Sequence, residues 1–122
     1  MLGKRYFKYA MSYYNSAFVA SLLNILDPKI KNEYNTKANK YFENAEKILE
    51  EAYQNEYEKP KKNWAFLLET CELIVDCCFY QNKPQKEEKY LEICEVFEEM
   101  LYDEFEHDEK TKEKGIILDL IQ

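Results

Sequence analysis

Glycine and proline are scarce in this 122-residue sequence, which contains two of the first and three of the second. These residues form most of the tight turns that separate strands, so their scarcity argues against a β-rich fold. The sequence is 34% charged and 46% hydrophobic, a composition that suits amphipathic helices. A chain of this length can enclose one hydrophobic core but not two. We therefore predict a single all-α domain.

Histidine is represented by His107 alone and arginine by Arg5 alone. A serine or cysteine nucleophile usually needs a histidine beside it, and His107 is distant in sequence from the cysteines. Glu104 and His107 have the Glu-x-x-His spacing of di-iron bundles, but such a site needs a second pair and two more glutamates. We predict no enzymatic activity, no catalytic residues, no cofactor and no metal site. The remaining metal alternative is a loose divalent-ion site made of Asp103, Glu104, His107 and Asp108.

The formal net charge of −7 restricts the class of partner. Binding of DNA or RNA needs clustered lysine and arginine, so we predict no direct nucleic-acid binding. Nearly all of the basic residues are lysine, which is typical of AT-rich genomes such as those of low-GC bacteria, their phages or certain protists. An acidic protein suits a protein partner that has a basic surface.

Residues 9–26 carry no charge and follow a basic start, an arrangement that superficially resembles a signal peptide. Serine and asparagine interrupt this stretch, and its 18 residues barely reach the length of a membrane-spanning helix. We predict a buried helix here and no membrane partner.

The four cysteines lack the loop-rich setting of a disulfide scaffold and the paired spacing of a zinc site. They are Cys71, Cys77, Cys78 and Cys94. We interpret them as reduced core residues, and we expect the protein in the cytoplasm of a bacterium or of a phage's host.

The prolines at positions 28, 60 and 84, together with the His107-Asp108 step, divide the sequence into five predicted helices. The predicted helices lie at about 4–26, 29–56, 61–81, 85–106 and 109–121. We predict one helical domain over 1–122. It consists of hairpin one at about 4–56, hairpin two at about 61–106, and a short helix at about 109–121.

Two short sequence motifs occur twice in the chain, and we call this repetition the internal echo. Residues 15–18 (Asn-Ser-Ala-Phe) recur at 63–66 as Asn-Trp-Ala-Phe, and Lys-Tyr-Phe-Glu at 40–43 recurs at 89–92 as Lys-Tyr-Leu-Glu. The two shifts, 48 and 49, nearly agree, which favours two duplicated antiparallel hairpins. Chance similarity between amphipathic helices is the alternative. The first helix of each hairpin is the less charged one, so we expect the first helices inside and the second helices outside.

Positions 90 to 109 contain nine acidic residues and no lysine or arginine. At 100° per residue, six acidic side chains of the fourth predicted helix fall within an arc of about 80°. We call these six residues the acidic ridge: Glu88, Glu92, Glu95, Glu99, Asp103 and Glu106. Carboxylates can occupy sites that otherwise bind phosphates, so the acidic ridge is a candidate docking surface and nucleic-acid mimic. The alternative is a solvated face of an acidic protein.

A second candidate interface is formed by tyrosines of the first helix. Tyr6, Tyr9 and Tyr13 share one face, and tyrosine is enriched at protein interfaces. A homodimer seam on this face is one interpretation. Boundary tyrosines with a buried ring and a solvated hydroxyl are the other.

Ala38, Phe42 and Ala45 have a small-aromatic-small spacing, which resembles the second helix of a tetratricopeptide repeat. Residues 63–67 (Asn-Trp-Ala-Phe-Leu) resemble the start of the first helix of such a repeat. The likeness covers about a quarter of the chain, and it implies a helical repeat that binds a peptide or protein. The long-helix layout is also similar to a HEPN domain. Nucleases of that superfamily carry an arginine followed closely by a histidine, whereas Arg5 and His107 are 102 positions apart.

These observations predict a non-catalytic protein-binding domain, a small acidic inhibitor or immunity-type protein of a bacterium or phage. The acidic ridge would dock on a basic surface, such as that of a nucleic-acid-processing enzyme. Two alternatives stay open. The first is a helical-repeat adaptor that binds a peptide between hairpins, and the second is a HEPN-like domain without nuclease residues.

Overall fold

A computed structural model describes the backbone of residues 2–22 and 27–121, and the side chains of residues 2–22 and 27–106. The described chain consists of four helices and contains no strand. The helices are α1 (Leu2–Leu22), α2 (Pro28–Tyr57), α3 (Trp64–Tyr80) and α4 (Pro84–Ile121). The predicted fold class, an all-α helical bundle, is confirmed.

Local sequence determines where α2 and α3 begin. The Asp27 carboxylate accepts a hydrogen bond from the backbone N–H of Lys29 at 2.9 Å, and Pro28 occupies the first turn of α2. The Asn63 side chain caps α3 in the same way, by accepting from the N–H of Phe66 at 3.1 Å. Each cap satisfies a backbone donor that has no partner within the helix.

The corner between α3 and α4 is tight. Asn82 has a φ of 57°, in the left-handed region that asparagine tolerates better than most residues. The backbone N–H of Lys83 then donates to the Cys78 carbonyl at 2.9 Å, which closes the end of α3, and Pro84 opens α4. This corner positions the side chains of Lys83 and Lys86 close to α2.

The predicted break at His107-Asp108 is wrong, because α4 continues through it to Ile121. Helix interiors tolerate histidine and aspartate, and no proline follows Pro84 in the sequence. The predicted fifth helix at about 109–121 is therefore the end of α4. Side chains from His107 onward, and the last four residues of the predicted first helix (23–26), lie outside the described residues.

The helices form two antiparallel hairpins, α1 with α2 and α3 with α4, and α3 also packs along α2. Side chains connect α2 to α4, as shown by the Tyr53 and Tyr90 rings with centroids 6.1 Å apart. An ion pair between Lys4 and Glu69 connects α1 to α3. The first helices therefore form one layer and the second helices the other.

The core is centred on α3, which contributes six buried residues. The Phe42 ring of α2 stacks on the Tyr80 ring of α3, with centroids 4.9 Å apart and planes at 10°. All four cysteines are buried and free, which agrees with their interpretation as core residues.

The expectation that α1 is an inner helix is wrong. Its only buried residues are Gly3, Ala10 and Ala17, whereas Val19 and Leu22 are exposed. An uncharged helix need not be covered on every side, because four helices in two layers leave an edge at each end. Here α1 is one edge and α4 is the other.

The internal echo does not align with the helices. Asn15 lies within α1, but its counterpart Asn63 precedes α3 as its N-cap. Tyr41 is the 14th residue of α2, whereas Tyr90 is the 7th of α4. A displacement of seven residues is close to two helical turns. The Lys-Tyr-x-Glu motif therefore lies on the matching face of each helix, but about two turns nearer to the helix start in α4 than in α2, so its height along the helix differs.

Candidate functional site

The acidic ridge lies on the solvent side of α4. All six of its residues are exposed. The opposite side of the same helix packs on the core through Tyr90, Cys94 and Phe97, which are buried. Because the core side is apolar and the outer side is acidic, α4 presents one continuous band of carboxylates to its surroundings.

Among the side chains that the structure describes, no ridge residue forms an ion pair. The sequence explains this for the five ridge residues from Glu92 onward, since no lysine or arginine occurs from position 90 to 109. Acidic residues elsewhere do find partners, for example Glu33 with Lys37 on α2 and Glu56 with Lys59 at its end. The carboxylates of the ridge therefore remain available to an external cation.

Exposed apolar side chains flank the acidic ridge on both sides. Leu91, Tyr102 and Phe105 lie on one flank, and Val96 and Met100 lie on the other. A shallow depression of 450 Å³ on this surface is lined by Glu95, Glu98, Glu99, Tyr102 and Asp103. Carboxylates beside aromatic area provide both charge and contact surface to a protein partner.

Tyr102 belongs to the same surface electrostatically. A hydrogen bond to the Glu106 carboxylate and the negative charge of that group raise the pKa of the Tyr102 hydroxyl. The phenol therefore stays protonated and serves as a hydrogen-bond donor on the ridge.

Sequence reasoning missed a buried carboxylate on α2. Glu46 is almost completely buried, and its Oε2 atom lies 3.0 Å from Nζ of Lys83. Its Oε1 atom lies 3.3 Å from Nζ of Lys86 and accepts from the Cys78 thiol at 3.3 Å. Lys86 also forms an ion pair with Glu50. The available signal was weak: two lysines around the proline that opens α4, and a glutamate on the apolar side of α2.

These neighbours stabilise the ionised form of the Glu46 carboxyl group. Burial by itself raises the pKa of the carboxyl group, but hydrogen bonds from Lys83 and Cys78 and the charge of Lys86 outweigh it. The pKa of Glu46 therefore lies below its ordinary value. This group works as a structural clamp between hairpins, because cations and a thiol of the same chain already surround it.

The thiols offer no nucleophile at neutral pH. Burial raises the pKa values of Cys71, Cys77 and Cys78 to about 12 and that of Cys94 to about 11. A thiolate is the reactive form, and these values leave almost none of it. Within the described residues, no group of three or more histidine, cysteine, aspartate or glutamate side chains is arranged to hold a metal ion. The candidate set of Asp103, Glu104, His107 and Asp108 includes two side chains outside the described residues.

The tyrosines of α1 pack mainly within the chain. The Tyr13 ring stacks on Tyr41 with centroids 5.2 Å apart, and the Tyr9 ring lies 6.0 Å from the same residue. Tyr13 also approaches Tyr34 at 6.2 Å, and Tyr6 is partly buried against the core. Only Tyr9 keeps half of its surface exposed. The structure therefore places most of the second candidate interface against α2.

No helix in the described part of the chain is long and apolar enough to cross a bilayer. Comparison of the sequence with family models and with curated proteins, and of the structure with solved structures, finds no match. The resemblances to tetratricopeptide repeats and to HEPN domains therefore stay predictions.

Proposed function

We propose that this protein is a non-catalytic protein-binding domain that docks the acidic ridge of α4 on the basic surface of a protein partner. The observation that supports this proposal is the exposure of six carboxylates on one helix side with no ion pair among the described side chains. Like charges at i and i+4 destabilise a helix by about 0.2–0.5 kcal/mol per pair. A helix selected for stability alone would interleave lysines.

The chemistry of the ridge specifies the partner's surface. Carboxylates form charge-assisted hydrogen bonds with lysine and arginine much as phosphates do. A partner whose basic groove normally holds a nucleic-acid backbone meets this requirement. The protein would then act as a small inhibitor or immunity-type protein of a bacterium or phage.

The apolar flanks contribute to the affinity. Tyr102 and Phe105 are each 62% exposed, so both rings are available to a protein partner. Buried aromatic residues carry much of the binding energy in protein interfaces. The complex is therefore expected to weaken as salt rises but to retain an apolar contribution.

Charge reversal tests the proposal. The variant Glu92→Lys, Glu95→Lys, Glu99→Lys is used as bait in a host lysate at low and high salt, and captured proteins are identified by mass spectrometry. The matched control reverses three exposed glutamates outside the ridge: Glu43, Glu51 and Glu58. Wild type and the control should capture the same basic protein, and the ridge variant should not. Equal capture by all three, with unchanged circular dichroism, would contradict the proposal.

A second candidate function is peptide binding by a helical-repeat adaptor. The observation that favours it is a 330 Å³ cleft within the first hairpin, between α1 and α2, and not between the hairpins as predicted. Its lining includes Tyr14, Phe18, Lys31 and Asn35. Exposed Phe18 supplies apolar area, and Asn35 can hydrogen-bond an extended backbone. Under this function, Phe18→Ala abolishes capture and the ridge variant does not. Because Phe18 is exposed, this substitution is expected to leave the fold intact.

A further inference from the structure

The junction between the two hairpins shows how one face of α2, the second helix of the first hairpin, is covered. On α2, Phe42 is 0% exposed, because the Tyr80 ring of the second hairpin and the Phe7 and Tyr14 rings of α1 lie against it. Glu46 is 5% exposed beneath the second hairpin. Tyr53 of the same face contacts the rings of Tyr90 and Phe97, both with centroids 6.1 Å away. Apolar contacts therefore line this junction along most of its length.

The same junction has a charged end. Lys83 and Lys86, which flank the proline that opens α4, form ion pairs with Glu46, and Lys86 also pairs with Glu50. Two lysines at a helix corner thus meet two glutamates one turn apart on the neighbouring hairpin.

Helix α4 repeats this face without a cover. Phe42, Glu46, Glu50 and Tyr53 of α2 correspond, at a shift of 49, to Leu91, Glu95, Glu99 and Tyr102 of α4. All four residues of α4 are exposed, with Leu91 at 47% and Tyr102 at 62%.

The residues on the core side of α4 behave differently. Tyr90 and Cys94 are buried, with Tyr90 lying against Tyr53 of α2, and Ala45 is buried in the same way on α2. The exposed residues of α4 therefore mark a missing neighbour, and the packing within the second hairpin is complete. We call Leu91, Glu95, Glu99 and Tyr102 the open face of α4.

The other edge of the molecule has features that match the open face. On α1, Tyr9, Ser12, Ser16 and Val19 share one helix side and are all exposed. This side carries no acidic residue, because Asp27 is the only aspartate or glutamate in residues 1–31.

The start of α2 is basic, as the corner of α4 is, although its lysines occupy different positions. Lys29 and Lys31 follow Pro28 and are exposed, whereas Lys83 precedes Pro84 and the residue that precedes Pro28 is Asp27. By contrast, positions 91 to 106 contain seven acidic residues and no basic one. The two edges of one chain are therefore complementary in charge, although the whole protein has a net charge of −7.

We propose that the protein associates head to tail with a second copy of itself, with the first hairpin of one copy stacked on the second hairpin of the next. The basic start of α2 in one copy, which contains Lys29 and Lys31, lies against the carboxylates of Glu95 and Glu99 in the other. The Tyr9–Val19 side of α1 covers Leu91 and Tyr102. The contact resembles the junction between the two hairpins inside each chain, but it is displaced along α4 by seven residues, because the matching faces of α2 and α4 differ in height by that amount.

The geometry makes this contact heterologous, because two different surfaces meet. A pair of associated copies still presents one free first hairpin and one free open face, one on each copy, so further copies can add. The associated mass should therefore rise beyond that of a dimer as concentration increases. Added salt should lower it, because exposed ion pairs are screened.

Sedimentation equilibrium of the full chain at low and high salt tests this inference with two charge-swapped variants. One variant carries Lys29→Glu and Lys31→Glu, and the other carries Glu95→Lys and Glu99→Lys. Each variant alone places like charges at the contact and should be monomeric where wild type associates. An equimolar mixture should regain association, since each variant then supplies the charge that the other lacks. Circular dichroism and a cooperative thermal transition verify that both variants are folded.

Four results would overturn the inference. The wild type could stay monomeric over the whole concentration range at low salt, or it could stop at a closed dimer. The folded variants could associate alone as well as wild type does, or their mixture could regain no association. The Lys29, Lys31 variant leaves the acidic ridge intact, so it should still capture a basic partner. Loss of self-association is therefore distinguishable from loss of the proposed function.

Discussion

The Lys83 ammonium group lies 3.0 Å from the carboxylate of Glu46, although the two residues are 37 positions apart in sequence. This contact joins the corner of the second hairpin to the middle of α2. Because Glu46 is buried and Lys83 is partly exposed, the glutamate depends on the lysine more than the lysine depends on it.

Removing the charge of Glu46 should therefore destabilise the fold. We expect Glu46→Gln to lower the free energy of unfolding by about 1–3 kcal/mol, because two lysines lose the negative charge with which they pair and one of the two acceptor oxygens becomes an NH2 donor. Urea denaturation followed by circular dichroism measures this. The control Glu43→Gln, on the exposed side of α2, should change stability by less than about 0.5 kcal/mol. Equal effects of the two substitutions would contradict the clamp.

The contribution of Glu46 should depend on pH. Its pKa in the folded state is below its ordinary value, so its stabilising effect is complete above the unfolded pKa of about 4.3 and is lost as the pH falls through the folded pKa. The stability difference between wild type and Glu46→Gln should then be full at pH 7 and shrink below about pH 4. Asp76 provides a control of opposite sign, since burial and Glu87 raise its pKa. Asp76→Asn should be favourable at neutral pH and lose this advantage on acidification.

The parts of the fold that depend on neighbouring residues were predictable from sequence. Asn63 and Pro28 mark helix starts because a cap or a missing N–H acts within one turn. The acidic ridge was predictable for the same reason, since helical periodicity alone places its residues on one side. Its exposure followed from the apolar side of the same helix.

The unpredicted parts depend on residues that are distant in sequence but close in the structure. Composition shows that α1 has an uncharged stretch, but only the packing shows that one side of it has no cover. Burial of Glu46 could not be inferred from α2, because the compensating lysines belong to another hairpin. The predicted break at His107-Asp108 was wrong because these two polar residues do not end a helix, and α4 continues through them.

Close approach of α1 to α2 makes a second stability prediction. A Cβ atom at Gly3 would lie 2.8 Å from Cγ of Leu49, which is completely buried. Gly3→Ala should therefore destabilise the protein, although alanine gains up to about 1 kcal/mol of helix propensity over glycine. Chemical denaturation measures the change. Ser12→Ala, on the exposed side of α1, should be neutral or stabilising, and a stabilised Gly3→Ala would show that the helices can separate at no cost.

Burial of the thiols predicts slow cysteine chemistry. With pKa values of about 11 to 12, none of the four thiols is appreciably ionised at pH 8. A thiol-reactive chromophoric disulfide should label the native protein slowly, at the rate at which it opens, and should label four groups at once in denaturant. Rapid labelling of one native cysteine would show an accessible thiol and would reopen the question of cysteine-based function.

A stabilising substitution within the acidic ridge separates a functional surface from a merely solvated one. Glu99→Lys reverses the charge at position 99. Its like-charge pairs with Glu95 at i−4 and with Asp103 at i+4 become pairs of opposite charge. The free energy of unfolding should rise by about 0.5–1 kcal/mol at low salt, and the gain should shrink at high salt. Lys89→Glu, which adds a negative charge to α4 outside the ridge, should do the opposite. If Glu99→Lys is more stable and binds its partner less well, the repulsion in the wild-type ridge is maintained for binding. If it is more stable and binds equally, the ridge is only a solvated face.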